Sequence, residues 1–310
     1  MFINNEKDDV AILIPMYNEE KTIAKVINDF SMVLPEKSCI YVYDNNSTDK
    51  SYEIARNTNK AIIRKESRQG KGNVVRTMFK EINANFYVLV DADDTYDAKD
   101  LKKILSALKE DKVDMVIGDR LTGSYFSENK RRFHNFGNKF VCFFINFLFK
   151  SNIKDVMTGY RGFSRNFVKT YPVLSKNFEV ETEMTIHALH YNLLIKNIPI
   201  NYKDRPYGST SKLNTFADGI KVIVTIIHMF IGFRPMTTLG IVGVVFFVLS
   251  IMEIIYIIIS KNISDTKFLS LKINSFALLI IAIVFLLSGL ILHYVIELNK
   301  KSFELKQRNI

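Results

Sequence analysis

Residues 86–97 have the sequence FYVLVDADDTYD, which indicates both a class of fold and a site. Its first half, Phe86 to Val90, is a short apolar run of the kind that forms a strand buried on both faces of a parallel sheet. Its second half begins with Asp91-Ala92-Asp93, and in an extended chain the first and third side chains point the same way. Carboxylate oxygens suit Mg²⁺ and Mn²⁺. We therefore expect Asp91 and Asp93 to converge on one divalent cation at the end of a strand, although acid-x-acid alone is a common pattern.

Four further apolar runs repeat this strand pattern along the first 117 residues, at Val10–Ile14, Cys39–Tyr43, Ala61–Arg64 and Val113–Ile117. Longer amphipathic stretches separate them, among which Glu20–Val33 and Lys71–Ile82 are typical of helices. Strands that alternate with helices in this way form a mostly parallel sheet covered by helices. The fold class predicted is therefore α/β, with each of the five strands buried on both faces.

Polar clusters follow two of the other strands, at Pro15–Glu20 and Asp44–Asp49. Either one alone is compatible with a loop and helix cap, because Asn, Ser, Thr and Asp are the usual residues there. In open α/β sheets, however, ligands bind at the carboxyl ends of the strands. Together with Asp91-Ala92-Asp93, the clusters therefore predict one ligand site at one edge of the sheet.

A phenylalanine-rich stretch, Arg132–Lys150, is predicted to be helical. Its few polar side chains define a hydrophilic face only in part, so the helix could belong to the core of the domain. It could equally lie in a membrane interface, because the basic cluster Lys130, Arg131 and Arg132 resembles the flank that anionic lipids attract. Both interpretations remain open at this point.

The C-terminal third of the chain is dominated by apolar sequence. An amphipathic stretch, Thr215–Phe233, ends before Arg234-Pro235, where a helix should stop or turn. The runs Met236–Ile259 and Ile273–Ile296 follow, and each exceeds the roughly 20 residues that cross a bilayer core. A pair of buried core helices is the alternative, but we expect a transmembrane hairpin. Glu253 in the first run should then face a protein partner or be protonated.

The distribution of charge suggests an orientation for this hairpin. The intervening loop, Lys261–Lys272, has three Lys and one Asp, whereas Arg234 and the basic C-terminal tail flank the other side. The positive-inside rule then favours both ends in the cytosol, and the polar start Met1–Asp9 lacks the features of a secretory signal. The expected organisation is a cytosolic domain over 1–212, an interface helix over 213–235, two spans within 236–298 and a cytosolic tail over 299–310.

The formal net charge of +10 over 310 residues is compatible with nucleic acid, an anionic membrane or a phosphorylated substrate. Nucleic-acid binding is disfavoured, because the basic residues are spread along the chain without a recognisable reading module. Only Cys39 and Cys142 are present, without CxxC spacing, which argues against a disulfide framework or a cysteine metal site.

With these motifs, the chain resembles the inverting glycosyltransferases of the GT-A fold over about residues 10–235. Within them it is similar to the branch that transfers sugar to polyprenyl phosphates, such as dolichyl-phosphate mannose synthase and bacterial undecaprenyl-phosphate glycosyltransferases. The resemblance implies a Rossmann-like domain that binds a nucleotide sugar, followed by interface helices and a membrane hairpin. It also implies nucleotide contacts from Pro15, Tyr17, Glu19, Asp44, Lys71, Asp91 and Ala92, with Mg²⁺ or Mn²⁺ held by Asp91 and Asp93. Thr95 stands where mannose synthases commonly have Gln as a further metal ligand.

Later segments extend the resemblance toward a phosphate acceptor. Arg68–Asn73 is similar to the family's glycine-rich turn, where Lys71 would meet diphosphate, although a plain turn explains the glycines equally well. Arg120 and Arg131 correspond to the clamps of the acceptor phosphate. The segment DVMTGYR, residues 155–161, resembles D-x-x-x-G-[FY]-R, whose acid has a base-like or orienting role. Because phosphate is already ionised at neutral pH, we expect Asp155 to orient.

Two more segments complete the predicted site. RPYGSTSK, residues 205–212, resembles a mobile loop whose Arg205 and Lys212 would bind donor or acceptor phosphate on closure; a solvated linker is the alternative. FEVETE, residues 178–183, matches an acidic family segment, although Glu is also common in the first turn of a helix. From the resemblance we expect the catalytic group to comprise Asp93, Asp155, Arg205 and Lys212.

The function expected is inverting transfer of a sugar from UDP-glucose or UDP-N-acetylglucosamine to undecaprenyl phosphate at the plasma membrane, for modification of cell-envelope glycans. A processive polysaccharide synthase shares the N-terminal motifs, but such enzymes resemble one another in Gln-x-x-Arg-Trp and the chain has no Trp. A transferase to soluble glycans and a catalytically inactive membrane sensor of nucleotide sugars are further alternatives. A homo-oligomer is compatible with Glu253, which a helix contact would accommodate.

Overall fold

The computed structural model of the protein describes residues 7–122, 132–206, 215–260 and 264–308. The chain forms two compact units, one extending to Ile226 and the other from Ile227 to Asn309. The first carries a mixed α/β sheet and the second is helical.

A seven-stranded sheet forms the centre of the first unit. Its strands are β1 (Asp8–Met16), β2 (Cys39–Asp44), β3 (Ile62–Lys65), β4 (Ala84–Leu89), β5 (Met115–Asp119), β6 (Arg161–Ser164) and β7 (Ile195–Pro199). They lie in the order β3-β2-β1-β4-β6-β5-β7. The five predicted strands are confirmed within about two residues, and all pairings are parallel except those of β6. The α/β fold class is therefore confirmed, with β6 and β7 as additional strands.

In the described part of this unit, helices connect or follow the strands. They are α1 (Ile23–Val33), α2 (Ser51–Asn57), α3 (Lys71–Glu81), α4 (Leu101–Lys109), α5 (Arg132–Phe149), α6 (Arg165–Thr170) and α7 (Val180–His190), with a short 3₁₀ turn at Ala98–Asp100. Helix α1 buries Ile23, Val26, Ile27 and Phe30, which recur at helical spacing on one face. This apolar face joins the core formed by the central strands.

The predicted burial of the strands on both faces holds at the centre of the sheet and fails at its edge. Val10 to Ile14 of β1 are all fully buried, because β2 and β4 flank this strand and helices cover it. In β3, Arg64 and Lys65 are exposed. The prediction is wrong for β3 because it is an edge strand, and charged side chains are usual on such edges.

The antiparallel strand β6 has a direct consequence for the ligand edge of the sheet. Arg161, its first residue, is paired with Leu89 of β4 and Ile117 of β5. Because β6 runs opposite to both neighbours, the segment that enters it lies at their carboxyl ends. Residues 155–160 therefore reach the same edge as Asp91.

The second unit contains the most apolar helices of the chain. Helix α8 (Thr215–Phe233) leads into it, followed by α9 (Pro235–Ile259) and α10 (Asp265–Gln307). The most apolar windows of α9 and α10 have mean hydropathies of 2.7 and 2.9, and only 11% and 17% of them are buried. Both helices are long enough to cross a membrane. Core helices of a soluble domain would be mostly buried, so the exposure argues against that alternative.

Helix α10 is longer than the predicted apolar span of 273–296. It begins at Asp265, so the prediction of a loop as far as Lys272 is wrong for residues 265–272. Asp265 gives this helix a favourable start, because an acid in the first turn complements the helix dipole.

Small and polar residues hold α9 against α10. Gly243 faces Ala282 and Leu286 so closely that a Cβ would lie 2.8 Å from Leu286 Cγ. The Ser250 hydroxyl donates to the Ser275 carbonyl at 2.8 Å. Asn274 Nδ2 donates to Glu253 Oε1 at 2.5 Å, so the expected protein partner of Glu253 is confirmed. Such contacts are typical of helices that associate within lipid.

Candidate active site

The polar clusters after β1 and β2 are hydrogen-bonded to each other. Asn18 accepts from the Thr48 backbone N–H at 2.7 Å and donates its own N–H to Ser47 Oγ at 2.9 Å. Glu19 N–H donates to Ser51 Oγ at 2.7 Å. Asn18 has a positive φ of 52°, which Asn tolerates better than most residues. The expected convergence of these two clusters is therefore confirmed.

The predicted nucleotide residues of these clusters lie at the carboxyl ends of neighbouring strands. Pro15 is paired with Tyr43, and Asp44, which is buried, is paired with Met16. Tyr17 is partly exposed just beyond β1, whereas Glu19 is buried. The carbonyl of Ala92, after β4, accepts from Thr22 Oγ1 at 2.7 Å. The ends of β1 and β2, which carry Pro15 and Asp44, and the following loops thus share one edge. These loops carry Tyr17, Glu19 and Ala92.

The glycine-rich turn before α3 is positioned by Asn45. Its side-chain amide donates to the carbonyls of Glu66 and Arg68, and its oxygen accepts from Gly70 N–H at 2.6 Å. Gly70 has φ +121°, and a Cβ there would lie 2.3 Å from the Lys176 carbonyl oxygen. The close approach of another backbone therefore explains this glycine, in agreement with the interpretation as a structural turn.

Lys71 lies between two carboxylates at the start of α3. Its Nζ is 2.5 Å from Asp91 Oδ1 and 2.5 Å from Glu181 Oε1. Burial lowers the pKa of Lys71, but the two carboxylates outweigh burial and raise the pKa above its ordinary value. Whereas the sequence predicts contact with diphosphate, the structure has Lys71 bound to these acids. The opposite oxygen of Glu181, Oε2, is buried and has no hydrogen-bond partner in the described parts of the chain.

Asp93 forms an ion pair with Arg205, from a distant part of the chain. Its Oδ2 lies 2.6 Å from Arg205 Nη2, and Arg205 Nη1 lies 3.6 Å from Glu19 Oε1. The Thr95 hydroxyl and N–H both donate to Asp93 Oδ1, at 2.6 and 3.2 Å. Thr95 therefore orients the Asp93 carboxylate. In this structure the residue that departs from the family pattern is hydrogen-bonded to a predicted metal ligand.

The two acids titrate differently although they lie two residues apart. Burial raises the pKa of Asp91, but the charge and hydrogen bond of Lys71 outweigh this and leave it below its ordinary value. Burial and the charge of Asp91 raise the pKa of Asp93 above its ordinary value, despite the opposing effect of Arg205. Asp93 is therefore the more easily protonated of the two acids, and a further cation nearby would favour its charged form.

Gly159 packs directly against the first acid. A Cβ at position 159 would lie 2.1 Å from Asp91 Oδ2, and its N–H donates to the Tyr96 hydroxyl at 2.9 Å. Tyr96 lies on the segment after Asp93, so this hydrogen bond joins the acidic loop to residues 155–161. The D-x-x-x-G-[FY]-R resemblance drew attention to this segment but assigned no role to its glycine.

Arg120 and Asp155 form a two-point ion pair beside this loop. Arg120 Nε and Nη2 donate to Asp155 Oδ2 and Oδ1 at 2.7 and 3.0 Å, and Asn138 Nδ2 donates to Oδ1 at 2.7 Å. The guanidinium also lies over the Tyr202 ring, 5.3 Å from its centroid. Burial raises the pKa of Asp155, but Arg120 and Asn138 outweigh it and hold the pKa below its ordinary value. A carboxylate held this way suits orientation and not proton transfer.

Sequence reasoning missed the structural role of Arg161. Its side chain is fully buried and donates to the carbonyls of Thr158 and Val156 at 3.0 and 2.5 Å and to Thr185 Oγ1 at 2.9 Å. These bonds fold the segment that carries Asp155 and Gly159. The arginine that ends the 155–161 motif was the sequence signal that could have indicated this role. Arg131 and Lys212, the remaining predicted site residues, lie outside the described residues.

Comparison with known proteins identifies the relationships of this chain. The sequence profile of glycosyl transferase family 2 matches residues 11–171. The glycosyltransferase AglJ of Haloferax volcanii is 31% identical over 241 residues, which cover 76% of this chain and 77% of that protein. A dolichyl-phosphate hexose transferase of the same organism is 29% identical over 222 residues, covering 72% and 94%.

A solved structure shares the fold at low sequence identity. Glucosyl-3-phosphoglycerate synthase from Mycobacterium tuberculosis superposes with a TM-score of 0.60 and 16% identity, over 71% of this chain and 79% of that one. That enzyme was crystallised with Mn²⁺, uridine diphosphate and glucosyl-3-phosphoglycerate. At this identity the likeness supports a shared GT-A fold.

Proposed function

The chain belongs to glycosyl transferase family 2, and from that premise we propose that it transfers a sugar from a UDP-sugar to a polyprenyl phosphate at a membrane. That it is a glycosyltransferase follows from the family and its relatives. The observation that carries the finer proposal is the convergence of Asp91, Asp93, Arg205 and the Arg120–Asp155 pair at the carboxyl edge of the sheet. This reaction requires acidic side chains that hold a metal ion together with the nucleotide. It also requires basic side chains that bind the phosphates.

The donor would bind where the loops after β1, β2 and β4 meet. Pro15, Tyr17, Glu19, Asp44 and Ala92 would contact the base and ribose, and their loops are already connected by hydrogen bonds. Such prior ordering lowers the entropic cost of binding. The structural neighbour bound to uridine diphosphate supports UDP as the nucleotide. Glucose or N-acetylglucosamine is the sugar we propose.

The residues of the acidic loop fit a divalent cation. Arg205 already places positive charge on Asp93 near Glu19, and burial together with the charge of Asp91 raises the pKa of Asp93. Mg²⁺ or Mn²⁺ would be held by Asp91 and Asp93, where it would neutralise charge on the leaving nucleoside diphosphate. Among the described residues no three acid, His or Cys side chains form a complete set of ligands, so diphosphate oxygens would complete the coordination.

The acceptor phosphate would lie beside Arg120. The relative named dolichyl-phosphate hexose transferase supports a polyprenyl phosphate in this role. Asp155, which accepts a further hydrogen bond from Asn138, fixes the guanidinium in place, leaving less freedom to be lost when phosphate binds. Arg131, Arg205 and Lys212 are proposed as further cations at the phosphates.

The reaction proposed is a single displacement. A phosphate oxygen of the lipid forms a bond to the anomeric carbon while the bond from that carbon to the diphosphate oxygen breaks, which inverts the configuration. The attacking phosphate is already ionised near neutral pH, so no side chain must remove a proton. Arg120 orients the nucleophile, Asp155 orients Arg120, and the surrounding cations stabilise the charge that moves to the leaving group.

The membrane assignment is supported by α9 and α10, whose apolar windows are long and largely exposed. We propose that they span the plasma membrane as a hairpin, with the catalytic domain over 1–212, the interface helix over 213–235 and the tail over 299–310 in the cytosol. The basic residues around the hairpin support this orientation.

The proposal is tested by following labelled sugar. The full-length protein in vesicles with undecaprenyl phosphate and Mn²⁺ or Mg²⁺ is supplied with UDP-glucose, UDP-N-acetylglucosamine or GDP-mannose, and label is measured in the organic and aqueous phases. Transfer from a UDP-sugar into the organic phase is expected. Label that enters only a soluble glycan would refute the acceptor, and binding of UDP without turnover of any donor would favour the sensor.

A further inference from the structure

Each of the two proposed metal ligands is paired with a cation of the chain itself. Lys71 Nζ lies 2.5 Å from Asp91 Oδ1, and Arg205 Nη2 lies 2.6 Å from Asp93 Oδ2. A divalent metal would bind the same carboxylates, so it competes with these two side chains for the acids. How firmly each side chain is held decides which of them gives way.

Lys71 is held firmly on its side of the site. It is the first residue of α3, and only 10% of its side chain is exposed. Its Nζ also lies 2.5 Å from Glu181 Oε1, so one ammonium group serves two carboxylates. Moving it would leave the buried Glu181 without its cation, which is costly in a protein interior. We therefore expect Lys71 to stay beside Asp91 when ligands bind.

Asp93 leaves a single oxygen for a cation, and Arg205 contacts that atom. Its Oδ1 accepts two hydrogen bonds from Thr95, at 2.6 and 3.2 Å, which fill the two lone-pair positions of this oxygen. The other oxygen, Oδ2, is the one bound to Arg205. A metal on the same oxygen would face the guanidinium at close range, where like charges repel. The metal and Arg205 therefore exclude each other at Asp93 Oδ2.

The Arg205 side chain can leave Asp93 while the backbone of its segment stays in place. Two residues earlier, the Lys203 N–H donates to the Thr95 carbonyl at 3.0 Å and fixes the segment to the acidic loop. The Arg205 side chain is 28% exposed, and its Nη1 already lies 3.6 Å from Glu19 Oε1. Glu19 can therefore keep the guanidinium beside the donor site after it leaves Asp93.

We propose that Arg205 competes with the metal for Asp93 Oδ2 and thereby couples metal binding to nucleotide binding. A metal that binds alone displaces the guanidinium without bringing it a new partner. A metal that binds with a nucleoside diphosphate brings phosphate oxygens, which accept from an arginine at two points. The metal therefore binds tightly only together with the nucleotide. The inference rests on the proposed function, which places the metal and the diphosphate at this edge of the sheet.

Binding of Mn²⁺ measures this coupling without turnover. The full-length protein in a nonionic detergent is titrated with Mn²⁺ in the absence and presence of UDP, and the EPR signal of free Mn²⁺ is recorded. Samples without protein correct for the Mn²⁺ that UDP binds by itself. Without UDP, we expect Arg205→Gln to bind Mn²⁺ at least about ten-fold more tightly than the wild type, the usual size of a charged hydrogen bond. UDP should raise the affinity for Mn²⁺ less in this variant than in the wild type.

Lys203→Gln is the matched control for the change in charge. Lys203 lies on the same segment and loses the same charge, but its Nζ is 2.9 Å from Asp94 Oδ1, which is not a proposed metal ligand. This variant should bind Mn²⁺ as the wild type does. Arg205→Lys keeps the positive charge and should remain closer to the wild type than Arg205→Gln does.

Equal affinities of the wild type and Arg205→Gln for Mn²⁺ without UDP would overturn the proposal. An equal gain in Lys203→Gln would also overturn it, because the effect would then come from net charge alone. If none of the proteins bound Mn²⁺ even with UDP, the inference and the proposed metal site would both be wrong. Sugar transfer to lipid is measured separately on the wild type, and the predicted coupling without transfer would support the inference and refute the proposed reaction.

Discussion

A side chain at position 159 has no room beside Asp91, since its Cβ would lie 2.1 Å from Oδ2 of that acid. The segment 155–161 and the acidic loop after β4 therefore define each other's position. The Arg161 side chain fixes this segment by donating hydrogen bonds to the carbonyls of Val156 and Thr158. A residue with no functional group of its own thus sets the location of a proposed metal ligand.

Gly159→Ala should displace Asp91 and lower kcat/KM at least about 100-fold, because misplacement of a reacting or binding group by about 1 Å is costly. The melting temperature should change much less than activity. Gly219→Ala is the matched control, because a Cβ there would meet nothing within 4 Å. Full activity of Gly159→Ala would show that Asp91 has no required position.

Lys71→Met should destabilise the fold strongly, because it leaves Asp91 and Glu181 as neighbouring carboxylates without their shared cation. Loss of one partner from a buried ion pair costs about 3–5 kcal/mol. Adding Glu181→Gln to this variant should recover part of the loss, since one buried charge is removed. The measurement is thermal unfolding of the two single variants and the double variant. Strictly additive losses would mean that Lys71 and Glu181 do not interact.

Asp155→Asn should weaken binding of the acceptor and spare binding of the donor. The substitution keeps the shape of the side chain but removes the charge that holds Arg120 at two points. We predict that KM for the lipid phosphate rises about ten-fold or more, the usual size of a lost charged hydrogen bond, while affinity for UDP stays within about two-fold. Loss of kcat with an unchanged acceptor KM would instead identify Asp155 as a general base.

His187 should make the stability of the first unit sensitive to mild acid. Burial, reinforced by the charge of His190, lowers the pKa of His187 to about 3. Below its ordinary pKa of about 6.5 the unfolded chain takes up a proton that the folded chain does not, so stability falls as pH decreases toward 3. Between pH 7 and pH 5 the contribution is about 2 kcal/mol.

The variant His187→Phe tests whether His187 causes this loss of stability in acid. It retains an aromatic ring beside Phe167 and Tyr171 but cannot titrate. Urea unfolding of both proteins at pH 7 and pH 5 should show a smaller acid loss for the variant. Equal losses would mean that His187 is not kept neutral by the fold.

The parts of the fold that sequence predicted share a simple physical signal. Val10–Ile14 and Phe86–Val90 are continuous apolar runs, and such runs are typical of strands that are buried on both faces. Strand β6, by contrast, is four residues long and begins with the buried Arg161, so its own sequence resembles a loop. Strand β7 contains Lys196 and Asn197 and has an edge exposed to solvent, so its hydrophobic signal is weak.

The candidate site was predictable in its location but not in its connections. Acids and amides after three strands indicated the edge, because parallel strands bring their carboxyl ends together. The contact of Lys71 with Glu181 joins residues 110 positions apart, and no spacing rule predicts such a pair. The same holds for Arg205 with Asp93. The sequence shows that Thr95 departs from the family pattern, but only the structure shows its hydrogen bonds to Asp93.

The most direct test of the proposed reaction is the chemical identity of its product. The full-length protein is incubated with UDP-glucose or UDP-N-acetylglucosamine, undecaprenyl phosphate and Mn²⁺, with Asp93→Asn as the inactive control, and the lipid product is analysed by mass spectrometry and NMR. We predict one sugar joined to the lipid through a single phosphate, in the β configuration that a single displacement of an α-linked donor gives. An α-linked product, or sugar found only on a soluble acceptor, would contradict the proposal.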